Sequence, residues 1–227
     1  MIKNFIKTYE QKIKNIKDDE NTIAIFLVGS SKDIYNKKNI ENITDIDLFI
    51  VSEQNEDQIR KQEQFNGIEF DINKFSKRYI EFMIDNKEYF FINEMRNAKV
   101  IYDKKNISDK LIYLSKEKYN EGPKKLSNEE ILVMENTILE NISRLEKKDD
   151  FENYEYEFLT NIYLKDIIKG HFIMSGKWMP KDKKIFKYLS ENEKKLFELS
   201  KNVYKDYNYN NLKKVYEYVF KKIICEK

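Results

Sequence analysis

The sequence is poor in the residues on which several common kinds of site depend. It has one histidine, His171, and one cysteine, Cys225, among 227 residues. A metal site with several histidines and an internal disulfide are therefore excluded, and a Ser-His-Asp triad would have to use His171. Because His171 lies in an apolar helical stretch ending in Phe172-Ile173-Met174, we interpret it as a packed or capping side chain. If the protein is an enzyme, carboxylates and lysines must carry the chemistry.

The sequence also lacks a long apolar run and an excess of charge of one sign. No apolar run approaches the length of a membrane span, and the segment from Met1 to Lys14 is helical and charged rather than signal-like. The 42 basic and 40 acidic residues almost balance, which argues against binding of long nucleic acid. Lysine runs such as Lys181, Lys183 and Lys184 are candidate phosphate sites, although such runs usually form solvated faces. With the lone cysteine, these features predict a cytoplasmic protein.

The first half of the chain alternates helical and strand patterns. The spacing of Ile2, Phe5, Tyr9 and Ile13 predicts an amphipathic helix over residues 2–17. Strands are predicted at 22–28, 45–51, 68–72 and 98–102, and helices at 76–96 and from about 108. The pair Asn66-Gly67 favours a hairpin turn before the third strand.

The pattern of the second half of the chain predicts helices only. Gly and Pro are rare in this sequence and occur side by side at Gly122-Pro123, so we place the boundary there, between a domain at 1–119 and another at 124–227. Ser127 and Glu130 predict a capping box at the start of a helix. Further helices are predicted at 151–174, with Tyr154, Phe158 and Ile162 on one apolar face, and at 182–202 and 210–224. The predicted fold class is α+β, a mixed sheet with helices followed by a helical bundle.

Polar residues at strand ends supply the candidate chemistry. Val28-Gly29-Ser30 ends a buried strand, where the glycine lets the backbone approach a phosphate and the Ser30 hydroxyl can bind its oxygens. Asp45 and Asp47 alternate with Ile46, so both carboxylates lie on one face of their strand. Each of these features alone also fits a simple turn or a solvent-facing strand end.

A third carboxylate completes the pattern. Asp71 alternates with Phe70 and Ile72, and if its strand pairs beside that of Asp45 and Asp47, three carboxylates come together. Such a cluster suits two Mg²⁺ ions in phosphoryl displacement, and the scarcity of His and Cys favours Mg²⁺ over zinc.

The motif order resembles that of the polymerase-beta-like nucleotidyltransferase superfamily. The family pattern, hydrophobic-Gly-Ser, then Asp-hydrophobic-Asp-hydrophobic, then a carboxylate between apolar residues, corresponds here to Val28-Gly29-Ser30, Asp45-Ile46-Asp47-Leu48 and Phe70-Asp71-Ile72. The gap at 31–44 is slightly longer than in the family, and an extra loop turn would accommodate it. The resemblance covers about residues 20 to 115. It implies a nucleotidyltransferase domain in which Asp45, Asp47 and Asp71 bind two Mg²⁺ ions, and Gly29 and Ser30 hold the phosphates of ATP or another NTP.

A weaker resemblance lies in the second domain. Ser175-Gly176-Lys177 followed by Pro180-Lys181 is similar to the Thr-Gly-Lys…Pro-Lys segment of bacterial aminoglycoside adenylyltransferases of the streptomycin and spectinomycin type. It implies that Lys177 helps to hold the nucleotide phosphates and that the helical domain binds the acceptor. A helix-ending Ser-Gly turn with Trp178 packed between helices is the alternative.

Three functions follow from the pattern. The first is transfer of a nucleoside monophosphate, AMP if the donor is ATP, to a hydroxyl of a small molecule such as an aminoglycoside. The second is modification of a protein or tRNA, as in toxin–antitoxin pairs, against which the appended helical domain argues. The third is a nucleotide-binding regulatory module without catalysis, against which the presence of all three carboxylates argues.

Overall fold

The computed structural model describes residues 2–33 and 45–221. Cys225, the end of the last predicted helix and most of the gap before Asp45 lie outside the described residues. The chain divides into two compact units, Met1–Glu121 and Gly122–Lys227. Within the described ranges, no helix is both long enough and apolar enough to cross a membrane.

The first unit is built on a five-stranded mixed sheet. In chain order its elements are α1 (Ile2–Lys17), β1 (Thr22–Leu27), β2 (Asp45–Ser52), β3 (Gln58–Phe65), β4 (Ile68–Ser76), α2 (Lys77–Asp85), α3 (Tyr89–Met95), β5 (Lys99–Asp103) and α4 (Ser108–Asn120). The strand order is β3-β4-β2-β1-β5. The β2–β4 pair is parallel, whereas the other neighbours are antiparallel. The second unit is helical, so the predicted α+β class is confirmed.

Two elements of the first unit differ from the sequence predictions. Strand β3 was not predicted because it is polar and largely exposed, although the hairpin turn that joins it to β4 was. In that turn Asn66 and Gly67 both have positive φ, 49° and 82°, as a two-residue hairpin connection of this type requires. The helix predicted at 76–96 is two helices, because the backbone leaves helical geometry at Lys87, where φ is 55°.

The second unit contains α5 (Asn128–Ser143), α6 (Asn153–Met174), α7 (Ile185–Asn192), α8 (Lys194–Lys205) and α9 (Tyr209–Tyr216). The capping box of Ser127 and Glu130 is present at the start of α5, as predicted. The helix predicted at 182–202 is divided at Glu193, whose φ and ψ of −135° and 56° are not helical. One apolar core joins these helices, with Ile142, Leu164, Leu189 and Leu212 among its fully buried residues.

The apolar face assigned to α6 from the sequence is wrong. Tyr154, Phe158 and Ile162 are 71%, 64% and 38% exposed. The buried face is instead formed by Tyr156, Thr160, Tyr163, Leu164, Ile167, Ile168 and Phe172. Because α6 carries apolar residues around most of its circumference, their spacing does not select a face; packing against the other helices does.

Candidate active site

The parallel pairing of β2 and β4 places the predicted carboxylates side by side near the start of these two strands. Asp47 lies opposite Asp71, and Asp45 lies opposite Glu69. Neighbouring strands are about 4.8 Å apart, and residues in register on parallel strands point to the same face. The pairing on which the sequence argument depended is therefore present, and it adds a fourth acidic residue, Glu69, beside Asp45.

The opposite face of the same strands is buried and sets the direction of the carboxylates. Ile46, Leu48 and Phe70 are fully buried, and they pack in one cluster with Tyr9 and Ile13 of α1. Side chains alternate along a strand, so the burial of these residues under α1 directs Asp45, Asp47 and Asp71 to the other face. On that face the next residue of β2, Phe49, stacks on Phe91 of α3 with ring centroids 5.7 Å apart.

Gly29 lies directly against Asp47. Its φ is 61°, and a Cβ atom built on it would lie 2.4 Å from Asp47 Oδ2, closer than two nonbonded atoms can approach. The chain is held there because the Val28 N–H donates to the Asp47 carbonyl oxygen at 3.1 Å. The site therefore needs glycine at this position for two reasons. The backbone is in the left-handed region, and the Asp47 carboxylate occupies the space that a Cβ would take.

Ser31, which the sequence argument did not select, fastens this turn to β2. Its hydroxyl accepts a hydrogen bond from the Asp47 N–H at 2.8 Å and donates to the Asp45 carbonyl oxygen at 3.3 Å. Ser31 is fully buried, whereas Ser30, the predicted phosphate ligand, is exposed. The Ser30-Ser31 pair was the only sequence signal, and alternation within a short turn does not say which hydroxyl points inward.

Glu94 also belongs to the site, and nothing in the linear sequence indicated it. The Gly29 N–H donates to Glu94 Oε2 at 3.2 Å. Glu94 lies near the end of α3, which is anchored on the sheet by Phe90 and Phe91 against Phe49. The amide that was predicted to bind a phosphate oxygen thus binds a carboxylate oxygen of Glu94 in this structure.

Asp71 is bound by Arg60 of β3. Arg60 Nε and Nη2 donate to Asp71 Oδ1 and Oδ2 at 3.1 and 2.6 Å, and Asn73 Nδ2 lies 3.4 Å from Oδ1. The hydrogen bond and charge of Asp71, with a smaller effect of Asp47, raise the pKa of the Arg60 guanidinium. Among the described residues, no three Asp, Glu, His or Cys side chains converge closely enough to hold a metal ion. Asp47 and Asp71 are neighbours, but the three-carboxylate cluster predicted from the sequence is not assembled.

Lys177 lies in the second unit, just after the end of α6. Its Nζ is 2.6 Å from Glu193 Oε1, and this ion pair raises the pKa of Lys177. Burial raises the pKa of Glu193, but the hydrogen bond from Lys177 and the nearby His171 outweigh burial and lower it overall. His171 Nε2 is 3.5 Å from the same carboxylate oxygen, longer than a normal N–H···O hydrogen bond. His171 is buried, as the sequence predicted for a packed side chain.

The burial of His171 predicts a pH dependence of stability. Burial lowers the pKa of His171 from 6.5, and the charge of Glu193 only partly opposes this shift. Below about pH 6.5 the unfolded chain therefore binds a proton that the folded chain does not. The free energy of unfolding consequently decreases as the pH is lowered through this range. We expect the midpoint of thermal unfolding to fall more between about pH 7.5 and about pH 5.5 in the wild-type protein than in His171→Gln. Equal falls, measured by circular dichroism, would contradict this assignment; Glu193, whose pKa is lowered, contributes only at more acidic pH.

Similarity to known proteins comes from the fold and not from the sequence. No protein-family model matches the chain, and no curated protein matches it. The chain is similar to the crystal structure of a nucleotidyltransferase-like protein from Exiguobacterium sibiricum 255-15, with a TM-score of 0.53 and 9% sequence identity. The similarity covers 93% of this chain and 74% of that chain. The protein therefore has the fold of a nucleotidyltransferase-like protein.

Proposed function

We propose that the protein is a cytoplasmic, magnesium-dependent nucleotidyltransferase that moves a nucleoside monophosphate from an NTP to a hydroxyl of a small molecule. The observation that carries the proposal is the parallel pairing of β2 and β4, with Asp47 opposite Asp71 and Gly29 against Asp47. Neighbouring carboxylates beside a glycine that follows a strand are the parts that phosphoryl displacement uses, and the nucleotidyltransferase-like fold agrees with this interpretation.

In this proposal Asp45, Asp47 and Asp71 would hold two Mg²⁺ ions, which requires the three carboxylates to converge more closely than they do in this structure. Carboxylate oxygens are the ligands that this hard cation prefers. Asp47 and Asp71 are in register on parallel strands, so both carboxylates lie on the same side of the sheet. The bound ions would neutralise charge on the phosphates and lower the pKa of the acceptor hydroxyl. Asp71 accepts the proton as the hydroxyl oxygen bonds to the α-phosphorus; the bond to the β-phosphate oxygen breaks and pyrophosphate leaves.

Three residues are proposed to bind the nucleotide phosphates: Gly29, Ser30 and Lys177. For Gly29, support comes from the orientation of its N–H, which already binds a carboxylate oxygen of Glu94. Phosphate binding there would require Glu94 to give up this hydrogen bond. The Ser30 hydroxyl is exposed next to it. For Lys177, support comes from its resemblance to the lysine of the adenylyltransferase segment, and Glu193 is the partner that it would exchange for phosphate.

The unit Gly122–Lys227 is proposed to bind the acceptor, and an aminoglycoside is the acceptor class that the Ser175–Lys181 segment suggests. AMP from ATP is the group that this resemblance implies.

One observation favours a second candidate function, nucleotide binding without catalysis. Both oxygens of Asp71 are hydrogen-bonded to Arg60, so the third carboxylate is engaged within the protein. In a module without catalysis this pair would be permanent, whereas in an enzyme it must open.

The proposal is tested by pyrophosphate release from ATP and Mg²⁺ in the presence of a panel of aminoglycosides and lincosamides. We expect release that depends on Mg²⁺ and on one class of acceptor. If no compound supports release while ATP still binds in a Mg²⁺-dependent manner, the small-molecule acceptor is wrong, and protein and RNA acceptors are tested next. If neither ATP nor any other NTP binds, nucleotidyl transfer itself is wrong.

A further inference from the structure

The contact between Arg60 and Asp71 uses the whole of both charged groups. The two donors of the guanidinium fork meet the two oxygens of the carboxylate at 3.1 and 2.6 Å. Such a bidentate pair is the strongest and most directional form of an Arg–carboxylate contact. It engages both of the carboxylate oxygens of Asp71 that a cation would use.

The surroundings of this pair are acidic. Asp47 is in register with Asp71 on the neighbouring strand. Asp45 is in register with Glu69, two residues earlier in the same pair of strands. Like charges so close together are unfavourable unless a cation neutralises them. In this structure the guanidinium of Arg60 supplies a positive charge to Asp71 from β3, on the side of β4 away from β2.

The position of Arg60 nevertheless allows its side chain to separate from Asp71. It lies on the edge strand β3, and its side chain is 59% exposed, whereas that of Asp71 is 15% exposed. Since an exposed ion pair contributes little net stability, the guanidinium can separate from Asp71 without disturbing the sheet. The carboxylate, by contrast, is fixed in β4 by its register with β2.

We propose that Arg60 is an internal counter-ion of Asp71 that competes with the divalent cation and thereby sets the cation concentration at which the site fills. This inference rests on the proposed function, because it takes Asp71 as a ligand of that cation. Arg60 is a positioning residue here: it acts through Asp71 and takes no part in bond making.

The test is direct titration of the full-length protein with Mn²⁺, followed by the loss of the electron paramagnetic resonance signal of the free ion. It is run with Mn²⁺ alone and with α,β-methylene-ATP. We expect Arg60→Gln to bind Mn²⁺ about two- to fivefold more tightly than the wild type, the range that an exposed ion pair gives. The gain should disappear when Asp71→Asn is added, because the competition acts only through that carboxylate.

Arg78→Gln is the matched control. Arg78 also pairs with an aspartate, at 2.8 Å between Nη2 and Asp57 Oδ1, but it lies beyond the other end of β4. It removes the same charge from the same unit, so we expect its Mn²⁺ affinity to equal that of the wild type. Circular dichroism checks that the variants remain folded.

Three outcomes decide the question. Mn²⁺ binding that is lost in Asp47→Asn but unchanged in Arg60→Gln would overturn the competition alone. Weaker binding in Arg60→Gln would also overturn it, because Arg60 would then hold Asp71 in place for the metal. Absence of any Asp47-dependent Mn²⁺ binding in the wild type would contradict the proposed function, and this inference with it.

Discussion

Replacing Asp47 with Asn is expected to lower Mg²⁺-dependent pyrophosphate release by about 10³-fold or more. Asp47 is the carboxylate at the centre of the candidate site, between Gly29 on one side and Asp71 on the other. Loss of a charged metal ligand removes several kcal/mol of transition-state stabilisation, and each 1.36 kcal/mol is a tenfold change in rate. The measurement is the rate of pyrophosphate release at saturating ATP with the acceptor identified in the panel.

The same substitution should leave the fold intact. The backbone of Asp47 is held by Ser31 and Val28 through its N–H and carbonyl groups, which the substitution does not change. Asn has almost the same shape, and it removes one of two like charges in register, so the midpoint of thermal unfolding should stay equal or rise. Asp85→Asn, at an exposed position of α2, is the matched control and should keep full activity. Activity retained by Asp47→Asn would exclude the proposed site.

Replacing Gly29 with Ala is expected to reduce activity by about 10²-fold or more, because the Asp47 carboxylate must move. The new Cβ would meet Asp47 Oδ2 at 2.4 Å, and Gly29 closely follows β1, a strand that is buried throughout. A displacement of about 1 Å at a catalytic group can cost on the order of 10²-fold in rate. The positive φ adds a strain of roughly 1–2 kcal/mol to the folded state. Activity and the free energy of unfolding are measured together.

Gly67→Ala separates the two causes. Gly67 also has a positive φ, 82°, but no atom lies within 4 Å of a Cβ built there. Both variants therefore carry backbone strain, and only Gly29→Ala crowds the site. We expect similar losses of stability or a larger one in Gly29→Ala, with activity lost only in the latter. Equal activity in the two variants would mean that the position of Asp47 does not matter for the reaction.

Local pattern was enough for most elements of the first unit. The spacing of apolar residues predicted α1, β1, β2 and β5 to within a few residues, because one-sided burial imposes a helical or alternating period on the sequence. It failed where a helix breaks without Gly or Pro, at Lys87 and at Glu193. In both places an asparagine, Asn86 or Asn192, precedes the break, and this residue is a weaker helix-ending signal than Gly or Pro.

Contacts between segments that are distant in the chain could not be predicted from the sequence. Glu94 lies 65 residues from Gly29, and Arg60 reaches Asp71 across a hairpin whose polar strand has no apolar alternation. Ser31 differs from Ser30 only in the direction in which the turn points it. Each contact depends on how elements pack and not on the residues near it in the chain.

The sequence by itself determined that carboxylates alternate with apolar residues on two strands, because burial of one strand face forces the other side chains to the opposite face. It also determined the α+β class, since the hydrophobic period changes after Gly122-Pro123. Only the tertiary structure decided that β2 and β4 are parallel neighbours with Asp47 opposite Asp71, because strand pairing joins segments that are far apart in the chain. For the same reason it alone decided that Arg60 holds Asp71, that Glu94 meets Gly29, and that Tyr154 and Phe158 of α6 are exposed.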